Sequence, residues 1–174
     1  MGVKVSVYVP ILSDELFPKI YRRFSELGMN LAFHPAFTLQ SVPAPTIVSS
    51  RFSVHDDVGM AQYQNVQMLS EFELTMKEFK YGAPLSVDPA VNEKLKWCRF
   101  VVTVRMHGAH TNAFRVGMFF AAILAEAADG IVYSPKSDAY LAPEIALRQF
   151  SNEIATYEKG LAAEDWRVTS FNSW

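Results

Sequence analysis

Two histidines three residues apart, in Arg105-Met106-His107-Gly108-Ala109-His110, have the types and spacing best suited to chemistry in this chain. Paired imidazoles can bind a metal ion or relay a proton near neutral pH. The residues before them, from Phe100 to Met106, alternate as a strand, and those after them are apolar and spaced as a helix. A loop joining a strand end to a helix start gathers side chains and free backbone N–H groups on one side. His107 and His110 are therefore the candidate catalytic residues, with Arg105 or Arg115 placed to hold an anionic substrate. A metal centre needs a third ligand, and no other Cys or His stands nearby in sequence, so neither metal nor cofactor is expected.

Other constellations are weaker. His55-Asp56-Asp57 sets a base beside two carboxylates, which suits general-base work or a hard cation, but adjacent residues in a turn more often bond the local backbone. His34, before Pro35 in apolar surroundings, reads as a core or loop histidine. Glu71 and Glu73 alternate with Phe72 and Leu74 and read as the wet side of a sheet. Cys98 is the single cysteine; it admits no internal disulfide and reads as packing within a strand. The chain has no G-x-S-x-G elbow, no phosphate-binding glycine loop and no dinucleotide fingerprint.

The elements that must position these residues follow from periodicity. Val3, Val5, Val7 and Val9 alternate with polar residues as a first strand that stops at Pro10. Ser13 or Asp14 caps a helix with Leu16, Ile20, Tyr21, Phe24 and Leu27 on one stripe, ended by a left-handed Gly28. Strands are expected near 30–33 and 46–54, then at 71–80, with a loop over 35–45; the segment 60–70 fits either a short helix or a loop. Asp88-Pro89 opens a short helix to Lys96. The stretch Trp97–Pro135 forms the centre: strand, histidine loop, a helix over 112–129 with only Arg115 and Glu126 charged inside it, Gly130, and a short strand. A helix apolar nearly all round is buried on more than one side. A crossover of that length suits parallel or ferredoxin-like pairing of its two strands. Pro143 opens a last helix with Leu147, Phe150, Ile154, Tyr157 and Leu161 on its stripe, and the tail adds an edge strand or docks on the surface.

With 174 residues, half of them hydrophobic, the chain is read as a single α+β domain over 1–174. The architecture expected is a mixed or mainly antiparallel sheet packed by three to four helices, the central one fully buried. Its 16 basic and 18 acidic residues leave a formal charge of −2, so a basic footprint for nucleic acid is missing. The segment VSVYVP is too short for a secretory signal. The longest uncharged run that is apolar throughout, 116–125, is about half of the ~20 apolar residues that a membrane span needs. A cytoplasmic setting without membrane contact is expected. Phe33, Phe37, Tyr63, Tyr81, Tyr140, Trp166, Phe171 and Trp174 are assigned to loops or termini. Flanked by Asp56, Asp57, Asp138, Glu164 and Asp165, they make candidate anchors for a basic protein partner. The partner-binding candidates are Asp56, Asp57, Tyr63, Tyr81, Asp138, Tyr140, Asp165, Trp166 and Trp174; oligomeric state is not legible.

Three stretches, VKVSVYVP, FFAAILAEAADGIVYSP and DWRVTSFNSW, give the chain a family likeness. It resembles the immunity proteins of bacterial polymorphic-toxin and type VI secretion systems, among them those guarding against restriction-endonuclease-like toxins. The resemblance implies a cytoplasmic, non-enzymatic inhibitor that plugs a toxin's active site or blocks its assembly. It transfers no binding residue. The competing expectation is a small enzyme, a hydrolase, working through His107 and His110.

Overall fold

A computed structural model of the chain describes residues 2–40, 45–55 and 58–174. Its strands are β1 (Val3–Val9), β2 (Met29–Phe33), β3 (Thr46–Val54), β4 (Met68–Glu78), β5 (Phe100–Met106), β6 (Ile131–Ser134), β7 (Ala139–Leu141) and β8 (Thr169–Ser170). Its α-helices are α1 (Phe17–Glu26), α2 (Pro89–Trp97), α3 (Thr111–Ala127) and α4 (Pro143–Lys159). The strands form one antiparallel sheet in the order β2-β3-β4-β5-β1-β6-β7, and β8 pairs with the start of β4. The expected α+β architecture is what the chain adopts.

β5 and β6 both run antiparallel to β1, which lies between them, so they are parallel to each other. The expected β-α-β crossover is thus present in split form, with the first strand inserted into it. Valines 5, 7 and 9 face α3, and the buried positions of β3, β4 and β5 complete the same side: Val48, Phe52, Phe72, Leu74, Val102 and Val104. α3 is buried along almost its whole length, as its composition requires. Gly117 lets the helix approach β5, since a Cβ there would stand 2.4 Å from the Met106 side chain. The left-handed residue after α3 is Asp129 (φ 55°), not Gly130. Gly130 serves a different need: the Tyr8 carbonyl oxygen stands 2.2 Å from where its Cβ would be.

Four expectations are corrected by packing. Cys98 lies between α2 and β5, not within a strand, and is buried; burial, followed by the Asp129 charge, pushes its thiol up to about 11. Tyr140 lies on β7 and not in a loop, whereas the strand expected near 30–33 does hold Phe33, which is buried. On α4 the buried stripe is Ala146, Phe150, Ile154 and Glu158, while Tyr157 turns outward and Leu161 lies beyond the helix. The strand expected at 71–80 begins at Met68, which resolves the ambiguous segment into a 3-10 turn (Val58–Tyr63) followed by the early start of β4.

Burial explains Glu158. Arg115 of α3 reaches it with two charge-assisted bonds, Nε–Oε1 at 2.7 Å and Nη2–Oε2 at 2.6 Å, and the two side chains are 3% and 2% exposed. This bidentate pair welds α3 to α4. It also removes Arg115 from consideration as an anion-binding residue, correcting that assignment.

Candidate functional site

The histidine loop sits where β5 ends and β8 takes over as the neighbour of β4. That arrangement brings the wet side of β4 under both imidazoles. Glu73 pairs across the ladder with Arg105, and its carboxylate lies 3.6 Å from Arg105 Nη1 and 3.5 Å from His107 Nε2. Glu71 lies 3.7 Å from His110 Nε2 and accepts a 2.8 Å bond from the Ser49 hydroxyl. The sequence alone left His107 and His110 without partners because those partners are over thirty positions away, on a strand dismissed as merely solvated. The signal was there in the alternation: Glu71 and Glu73 share one face of their strand.

The tail holds this loop in place. Thr111 donates its N–H to the Arg167 carbonyl (2.9 Å), Arg167 N–H donates to the Thr111 hydroxyl (2.7 Å), and the Arg167 guanidinium donates to the Gly108 carbonyl (3.3 Å). Thr169 Oγ1 lies 3.3 Å from His110 Nδ1. His110 is therefore engaged at both ring nitrogens. His107 is half exposed, touches Glu73 on one side and lines a cavity of about 500 Å³ on the other. Such a set can orient an imidazole by a carboxylate, the arrangement used for acid–base work. Among the described residues no cluster of three or more His, Cys, Asp or Glu side chains is placed to hold a metal ion.

The other face of the sheet is the larger feature. Helices α1, α3 and α4 cover one side. On the opposite side α2 covers only the corner where Val91 and Leu95 pack on Ile131, Tyr8, Tyr81 and Tyr140. Across β3, β4, β5 and the start of β1, no helix among the described residues lies over Ile47, Ser49, Glu71, Glu73, Thr75, Thr103, Arg105 and Lys4. The register aligns them in rows: Ile47–Glu73–Arg105–Lys4, and Thr75–Thr103–Ser6–Tyr133–Tyr140. Three strand spacings make this open part about 14 Å wide, and a seven-residue strand makes it about 23 Å long. That is about 330 Å², under half of the ~800 Å² that each partner contributes to a standard protein interface.

The candidate anchors divide between this face and the helical side. Trp174 stands at the β2–β3 margin, 45% exposed, its ring 5.1 Å from His34 and 4.8 Å from Phe171, whose own ring lies under Arg51. Tyr81 and Tyr140 stand at the α2 margin; Tyr140 is 4.8 Å from Tyr133 and 5.7 Å from Tyr8. Burial, and then the bond to Tyr140, raises the Tyr8 phenol above its ordinary range. Asp138 accepts the Tyr133 hydroxyl at 2.7 Å in the β6–β7 turn. Tyr63 and Trp166 pack together (5.5 Å) against the core, and Asp165 is exposed beside them. Asp138 precedes α4 and Asp165 follows it, at opposite ends of a helix about 25 Å long, so they do not form one acidic rim. Asp56 and Asp57 lie outside the described residues.

Among the exposed apolar residues that sequence reasoning missed are Ile47 and Trp97. Ile47, 54% exposed, occupies the open face, and Trp97, 76% exposed, ends α2 instead of starting a strand. Ile47 was legible as an outward position of a strand; the exposure of Trp97 depends on where α2 stops.

No protein-family model, curated protein or solved structure matches the chain. Among the described residues no helix is long and apolar enough to cross a membrane.

Proposed function

We propose that the chain is a non-enzymatic binding protein whose uncovered sheet face seats a protein partner. One observation carries the reading. The open face is uncovered by any helix among the described residues, has the exposed Ile47 within it, and is flanked by Trp174 on one margin and Tyr81 and Tyr140 on the other. Aromatic anchors at the edges of a broad, mixed-polarity surface are the usual composition of a protein interface. The resemblance to bacterial immunity proteins agrees with this, and gives the specific form: a cytoplasmic inhibitor that neutralises a cognate toxin, of nuclease type, by direct binding. The charge of the face is mixed, with Lys4, Arg51 and Arg105 against Glu71 and Glu73, so the face itself does not select a basic partner.

The test is co-expression with the product of the adjacent reading frame. The expected result is a stoichiometric complex on gel filtration and relief of that product's toxicity. A chain that elutes alone, beside no toxin-like reading frame, overturns the proposal.

A second reading, a small hydrolase, is favoured by the carboxylate partners of both histidines and the cavity beside His107. It requires that His107→Ala abolish a measurable turnover while the melting temperature stays nearly constant. Destabilisation without loss of any activity assigns the histidines to structure.

A further inference from the structure

The side of the sheet that no helix covers is crossed at one end by the chain's own tail. Alternation puts Asn30 and Ala32 of β2, and His34 one step beyond, on the side away from the buried Leu31 and Phe33. Arg51 of β3 is exposed on that same side, in the row Ala32–Arg51–Leu69–Thr169. Phe171 continues the β8–β4 pairing, on the flank of β4 away from β3, by donating its N–H to the Gln67 carbonyl (2.9 Å). Its ring lies 5.8 Å from the Arg51 guanidinium, and Trp174 stands 4.8 Å from Phe171 and 5.1 Å from His34. Residues 171–174 therefore pass over β4 and β3 to the close of β2.

The two halves of the tail are held differently. Up to Ser170 it is anchored: Arg167 exchanges bonds with Thr111 and reaches Gly108, Thr169 contacts His110 Nδ1, and Ser170 pairs with Met68. Beyond Ser170 it has the Phe171–Gln67 bond and the ring contacts, while Asn172, Ser173 and Trp174 are exposed. Such ring contacts are individually weak where water reaches them. The uncovered part of the face is under half of a standard interface. Adding β2 widens it by one strand spacing, and two aromatic side chains bring roughly 150–250 Å² each, which together reach the standard ~800 Å² per partner.

We infer that residues 171–174 form a strap that the protein partner swings off the sheet about Ser170, so that Phe171 and Trp174 pass from their own face onto the partner. In the free chain the strap shields Arg51 and the close of β2. In the complex those residues join the open face, and the two rings close on the partner from the β2 margin. The anchored half, bound to the histidine loop, stays in place and serves as the pivot. This inference rests on the protein-binding reading and names the part of that surface that moves.

The experiment pins the strap at its base. Gln67 and Phe171 continue the register that pairs Met68 with Ser170, and residues opposed in an antiparallel ladder have Cα atoms about 4.5–5.5 Å apart, within the span of a disulfide. The full chain carrying Gln67→Cys and Phe171→Cys is titrated with the product of the adjacent reading frame, first oxidised and then reduced, so that one sequence serves as its own control. The reduced form is expected to bind at least about tenfold more tightly than the oxidised form, with the urea midpoint of the oxidised form no lower. Trp174→Ala should weaken binding at least about tenfold, as loss of an interface tryptophan does. Equal affinity of the oxidised and reduced forms overturns the inference. Trp174→Ala that binds as well as wild type, or better, also overturns it, because the strap is then pushed aside and not used. Both of these results leave the binding reading intact. A chain that takes no partner in any of these forms overturns the binding reading and the strap with it.

Discussion

Two carboxylate–cation arrangements of this molecule use the same chemistry in opposite settings. Glu158 and Arg115 meet in the interior at 2.6 and 2.7 Å, all but sealed from water. Glu73 lies on the uncovered face of the sheet, 3.6 Å from Arg105 and 3.5 Å from His107, with both partners about half exposed. In the first, low dielectric makes each partner indispensable to the other. In the second, water screens the attraction and leaves all three groups free to change partners. Buried charge here holds helices together; open charge is what remains for recognition.

The contrast is broken most strongly from the inside. Glu158→Ala should lose about 3–5 kcal/mol in urea unfolding, because it strands a buried guanidinium. Replacing both partners, Arg115→Met with Glu158→Leu, should recover most of that loss. Next comes Gly130→Ala, whose Cβ would sit 2.2 Å from the Tyr8 carbonyl oxygen and push β1 away from the α3–β6 turn. Its expected cost is about 1–3 kcal/mol, the usual range for overpacking, read from the shift in urea midpoint.

Alkaline pH probes burial without mutation. The Cys98 thiol keeps its proton to about 11 when folded, whereas an unfolded thiol releases it near 8.5. A raised folded value means stability that is whole below about pH 8.5 and lost as pH rises towards 11. Tyr8 shifts in the same direction for the same cause. Urea midpoints measured from pH 8 upward should fall, and Cys98→Ala should flatten that fall in part.

On the open face the same measurements should barely respond. Glu73→Gln or Arg105→Ala is expected to change stability by less than about 1 kcal/mol, as exposed ion pairs do. A larger loss would place these residues in the structural set with Glu158.

Most of the fold was legible because hydrophobic periodicity and local punctuation agree. β3 and β5 fall where alternation puts them, Asp88 caps α2 through the Ala90 N–H, and Gly28 ends α1 with a positive φ. What sequence did not reveal is set by long-range pairing. Glu71 and Glu73 reach the histidines only because β5 stops at Met106 and a two-residue β8 replaces it beside β4. Arg115 and Glu158 are 43 positions apart, and nothing local marks either as buried. Among the aromatic residues Tyr140 misled for a related reason: it stands among turn formers in sequence yet belongs to a strand.

The central claim is that the uncovered face of the sheet is the recognition surface. It is tested most directly by the affinity for the cognate partner, measured calorimetrically, of a chain carrying Thr103→Arg at the centre of that face. The account predicts at least about tenfold weaker binding, from one bulky charge placed inside a packed interface, with the urea midpoint unchanged. Undiminished affinity would contradict it and place the partner elsewhere on the molecule.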